Sequence, residues 1–116
     1  MSERNVLLLL YDIRASILKI YEYTNGMEFV DYIKDSKSRE AVERNFEIIG
    51  EAASNLPNDF KKLNSQISWR IIKDFRNYLI HAYFGVNNSI VWDTIQNDLP
   101  FLLTEIELLI DKNSKE

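Results

Sequence analysis

One histidine stands in the 116 residues, His81, inside Arg76-Asn77-Tyr78-Leu79-Ile80-His81-Ala82-Tyr83. Imidazole exchanges protons near neutral pH. Guanidinium, five residues earlier at Arg76, donates to two phosphate oxygens through one planar fork. Together they suggest chemistry at a phosphoryl group. Each also has a plainer reading, as a helix-surface charge or as a satisfied histidine, and Tyr83 can be ordinary packing.

A helix must position them. At about 100° per residue, Ile71, Ile72, Phe75, Tyr78, Leu79 and Ala82 fall on one face, expected to be the core side. Arg76 and Tyr83 share one flank. Asp74 and His81 share the other, which leaves Arg76 and His81 about 140° apart. The helix is expected to start near Ser68 or Trp69 and end at Gly85. The divergence is relieved if the helix loosens before His81, if the Arg76 side chain wraps round, or if two chains meet. The last is favoured, because Ile80 and Phe84 on the back face call for a partner.

Composition narrows the classes. The chain is 46% hydrophobic and 28% charged, ordinary values for one globular domain. There is no cysteine, so no disulfide framework or thiolate metal site is expected. No carboxylate cluster has a recognisable metal-ligand spacing. The net charge of -4 argues against broad nucleic-acid binding. Yet Lys61, Lys62, Arg70, Lys73 and Arg76 lie in a window whose one acidic residue is Asp74. That window reads either as a solvated face or as a binding site. Val6 to Leu10 is too short for a signal peptide or a membrane span, so a cytoplasmic protein with no membrane role is expected.

Three glycines, two prolines and recurrent spacings of three and four predict an all-α fold. An up-down bundle of four to five helices is expected over residues 1–112, with 113–116 a frayed tail. The first helix runs from a Ser2 cap to Thr24, with Val6, Leu10, Ile13, Ile17 and Ile20 inward, and stops at Asn25-Gly26. A short piece, 28–34, turns Phe29, Ile33 and Val30 inward. Arg39 to Asn55 forms the next helix, where small residues around Gly50 permit close approach and Glu51 suggests a buried partner. One turn is expected near Asp59–Leu63. Ser89 to Asp111 is the last region, with a break near Asp98-Leu99-Pro100. Trp69 and Trp92 read as core anchors.

The residues also carry a resemblance over nearly the whole chain. Tyr23-Thr24-Asn25-Gly26-Met27, Ala41 through Ala52, Ile67-Ser68-Trp69-Arg70, Val91-Trp92 and Asp98-Leu99-Pro100 appear in order. Arg76-x-x-x-x-His81-x-Tyr83 completes the set, with Ser68 where proline is usual. The chain resembles the HepT family of HEPN-domain proteins, the toxin partners of minimal nucleotidyltransferase (MNT) antitoxins. The resemblance implies a homodimeric helical bundle with the motif at the subunit cleft. It implies a metal-independent endoribonuclease acting on RNA that needs no cofactor, and it leaves open whether tRNA or messages are cut. His81 would be the acid/base, Arg76 would hold the scissile phosphate, and Asn77 would orient the site. Tyr83 would accept AMP from the MNT partner. A second reading is a non-catalytic helical subunit that binds or regulates a nucleotidyltransferase.

Overall fold

A computed structural model describes residues 3–115. The expected Ser2 cap lies outside them. The described residues form helices and no strands: α1 (Glu3–Thr24), α2 (Phe29–Lys34), α3 (Ser36–Ser54), α4 (Asn58–Leu63), α5 (Trp69–Ile80), α6 (Asn88–Asp93) and α7 (Leu99–Ser114). A π-helical turn, Thr94–Asp98, joins α6 to α7 without a break. The long segments are α1, α3, α5 and the joined α6–α7, while α2 and α4 are short connectors. The all-helical bundle is therefore as expected.

The core follows the apolar periodicity. Val6, Leu10, Ile13, Ile17 and Ile20 of α1 are all buried, as are Val42, Phe46, Ile49, Ala52 and Ala53 of α3. These two helices pack most extensively, and α7 also packs on α1. Overall dimensions of 46 × 29 × 20 Å leave room for only two helix layers. α5 packs chiefly on α3 and so sits at the edge of the bundle.

Each boundary has a local cause. Gly26, at φ 76°, turns the chain after α1 at no steric cost. Asp35 caps α3 by accepting from the Ser38 amide at 3.0 Å and the Ser38 hydroxyl at 2.8 Å. This cap starts α3 at Ser36, three residues before the expected Arg39. The expected break at Pro100 is instead the π turn. Pro100 has no amide hydrogen and its ring crowds the carbonyl four residues back. The helix widens there, and the Leu99 amide donates to the Thr94 carbonyl.

Other expectations are corrected. Val30 and Ile33 of α2 are exposed, and Tyr32 is the side chain fully buried there, against Trp92. Ile71 of α5 is exposed rather than in the core, because α5 is covered mainly from the α3 side. α7 stays helical to Ser114, beyond the expected end at Asp111 and into the stretch read as tail. Trp69 does anchor its connector: its Nε1–H donates to the Asn64 carbonyl at 3.1 Å and its ring meets Phe60.

Candidate active site at the end of α5

Glycine at position 50 lets α5 sit close on α3. A Cβ there would stand 2.4 Å from Arg76 Cβ and 2.8 Å from Cγ. Arg76 is thereby pressed against α3, and its side chain is only 19% exposed. Its Nη1 donates to Glu51 Oε2 at 2.6 Å, and its Nη2 donates to Asn77 Oδ1 at 3.0 Å. Glu51, expected to have a partner, has this one. Nothing in the sequence identified Arg76 as that partner, since the two lie twenty-five positions apart. Arg76, Glu51 and Ile80 line a 310 Å3 hollow with Leu9, Asp12 and Arg44.

His81 ends the helix. The expected run to Gly85 is wrong: α5 stops at Ile80, and His81 is its C-cap at φ -103°, ψ 17°. The His81 amide donates to the Asn77 carbonyl at 3.1 Å, and His81 Nδ1 lies 3.0 Å from the same oxygen. A carbonyl oxygen only accepts, so Nδ1 carries a hydrogen. In the neutral ring the lone pair is then on Nε2. The imidazole also satisfies a terminal carbonyl of its own helix, a favoured place for a basic side chain.

The loop beyond is tied down. The Asn87 amide donates to the Tyr78 hydroxyl at 2.8 Å, and Asn87 Oδ1 caps α6. Gly85, at φ 107°, makes the turn. Tyr83 therefore leaves the flank shared with Arg76 on the helix projection. Its ring instead lies 6.3 Å from the His81 ring, edge-on. Tyr83 and Phe84 project into solvent, at 84% and 105% exposure.

Asn77 is the hinge of this arrangement. Its side chain holds Arg76 and its backbone holds His81. A guanidinium and an imidazole are thus linked through one residue, with a tyrosine beside the second.

The chain is similar in sequence to known proteins. The profile of the HepT-like ribonuclease family matches residues 13–109. The chain belongs to the HepT-like ribonuclease family. This HepT-like chain is 46% identical over 100 residues to "Probable ribonuclease HepT" of Thermococcus cleftensis, covering 86% of the chain and 91% of the relative. It is 42% identical over 110 residues to "Putative RNase MJ0127" of Methanocaldococcus jannaschii, covering 95% of the chain and 91% of the relative. A third relative, "Putative RNase TTE0752" of Caldanaerobacter subterraneus, is 40% identical over 93 residues, or 80% of the chain and 83% of the relative. No solved structure matches the chain significantly. Among the described residues of this HepT-like chain, no helix is long and apolar enough to cross a membrane.

Proposed function

We propose that this HepT-like chain is an endoribonuclease, the toxin of a HepT/MNT-type pair, working as a homodimer with the motif at the subunit cleft. The observation that carries the reading is the Asn77 link: Arg76 Nη2 on its side chain and His81 Nδ1 on its carbonyl. With Nδ1 donating to that carbonyl, the lone pair of neutral His81 is on Nε2 and can accept a proton.

The reaction is transesterification within RNA. Nε2 accepts the proton of a ribose 2′-OH as that oxygen attacks the adjacent phosphorus. The new P–O2′ bond forms and the P–O5′ bond breaks. The imidazolium passes its proton to the departing 5′-oxygen. Arg76 stabilises the extra negative charge on the phosphoryl oxygens during the exchange. The products are a 2′,3′-cyclic phosphate and a 5′-OH. DNA is not cut, because it lacks the attacking hydroxyl. Proton transfer and charge stabilisation both come from side chains, so the step is metal-independent.

The proposed dimer meets across Ile80 and Phe84. Both are exposed apolar side chains, Ile80 at the end of α5 and Phe84 beyond it in the loop rather than on the expected helix back face. A two-fold axis there would bring two copies of the motif to one cleft.

Neutralisation is assigned to the MNT antitoxin, by complex formation and by transfer of AMP to Tyr83. The exposed hydroxyl-bearing ring is open to such a partner. The added phosphate would stand beside His81, where its charge and bulk exclude the substrate phosphate. The test is growth inhibition on expression without the antitoxin. Wild type stops growth and His81→Ala does not. Equal inhibition by both would remove catalysis by His81 and favour the non-catalytic subunit reading.

A further inference from the structure

The basic window of the sequence does not stay together in space. Arg76 turns to Glu51, while Lys61 and Lys62 of α4 come beside Arg70 and Lys73 of α5. These four line an open groove of 1120 Å3, floored by Gly50 and Ala53 of α3. Asp74 is the one carboxylate in its lining. It lies 3.9 Å from Arg70 Nε, a loose contact on a side chain that is 93% exposed. Solvated pairs of this kind hold their partners weakly, so the cations stay available to an outside anion. In a chain of net charge -4, this concentration of positive charge is local.

The groove is continuous with the site. Gly50 forms part of its floor, and the same glycine abuts Arg76. Lys73, Asn77 and Ile80 repeat at spacings that keep them on one side of α5. From Arg70 to His81 the helix advances about 16 Å. That span suits a few successive phosphates of an extended strand.

We propose that the groove formed by Lys61, Lys62, Arg70 and Lys73 binds the phosphate backbone of single-stranded RNA and leads it along α5 to Arg76 and His81. The identity of the ligand rests on the ribonuclease reading, but binding can be measured apart from cleavage. A single strand is favoured over a duplex because the positive charge forms one narrow track. Flexible lysines read phosphates without reading bases. The groove therefore supplies affinity, not sequence choice.

The experiment uses the full chain and a fluorescein-labelled 2′-O-methyl RNA of twelve nucleotides, which has no free 2′-OH and stays uncut. Dissociation constants are measured by anisotropy across a salt series. Each phosphate contact in a single strand contributes about 0.7 to the slope of log affinity against log salt. The Lys61→Gln/Lys62→Gln/Arg70→Gln/Lys73→Gln protein should bind at least about tenfold more weakly, with a slope shallower by about 3. The Lys34→Gln/Lys37→Gln/Lys112→Gln protein, altered away from the groove, should bind as wild type does. The proposal is overturned if the wild type fails to bind, if the groove variant keeps its affinity and slope, or if both variants lose alike. A wild type that binds this strand through the groove but cuts no ordinary RNA would leave the groove standing and remove the nuclease reading.

Discussion

Arg76 Nη1 lies 2.6 Å from Glu51 Oε2, so the cation proposed to meet the substrate phosphate is already held by a carboxylate. The two ends of the pair differ in solvation. Glu51 is 64% exposed, whereas Arg76 is mostly covered. A pair with one solvated partner contributes at most about 1 kcal/mol to stability. Its consequence is positional, because it fixes where the guanidinium points. Glu51→Gln should therefore cost less than about 1 kcal/mol in denaturant unfolding. It should lower kcat by about tenfold through misplacement of Arg76. Unchanged kcat would mean that Asn77 alone positions the guanidinium.

Gly50→Ala separates two opposing effects. Alanine gains about 1 kcal/mol over glycine inside a helix. Its Cβ would stand 2.4 Å from Arg76 Cβ, an atom close to the backbone that cannot swing aside. Such overpacking costs about 1–3 kcal/mol. The clash should win, with a net loss of about 1 kcal/mol in urea unfolding and reduced RNA cleavage from the displaced α5. A stabilised Gly50→Ala protein would show that α5 packs less closely on α3.

Asp35 should make stability fall in acid. Hydrogen bonds from the Ser38 amide first, then the Ser38 hydroxyl, hold its carboxyl below the usual carboxylate range. A lowered folded pKa means that the native state resists protonation. Its stabilising effect is present above the unfolded value, about 3.9, and is lost as pH falls through the folded value. Asp35→Asn keeps a cap without a titrating charge. The wild type should melt higher than Asp35→Asn at about pH 7, and the gap should close at about pH 2. A gap that is the same at both would rule out the charged cap.

The dimer proposal has its own check. In sedimentation at micromolar concentration, wild type should run as a dimer and Ile80→Asp/Phe84→Asp as a folded monomer with little RNA cleavage. Carboxylates placed face to face across an apolar two-fold contact repel and cannot be desolvated cheaply. A monomeric wild type, or a fully active monomeric variant, would remove the shared cleft.

The buried faces of α1 and α3 were legible because apolar spacing reports the covered side of a helix directly. Val6 through Ile20 needed no further information. The end of α5 was not legible. Nothing between Asn77 and Phe84 breaks a helix by residue type, and the contact of the Asn87 amide with the Tyr78 hydroxyl that holds the following loop appears only in the fold. That difference moved Tyr83 from the side of Arg76 to the side of His81. Ile71 misled for a related reason: periodicity shows which residues are apolar, not how much of an edge helix its neighbours cover. Pro100 signalled a disturbance correctly, but its residue type does not tell a break from a wider turn, and the chain takes the latter. Glu51 was conspicuous among small residues, while its partner required the fold.

The most direct measurement is cleavage of total tRNA by purified wild type, His81→Ala and Arg76→Ala proteins, prepared identically and assayed in EDTA. The wild type should release fragments with 2′,3′-cyclic phosphate ends. Both variants should be at least about 100-fold slower, as expected for loss of an acid/base or of the charge-stabilising donor. No cleavage by any of the three, or equal cleavage by all, would contradict catalysis by Arg76 and His81.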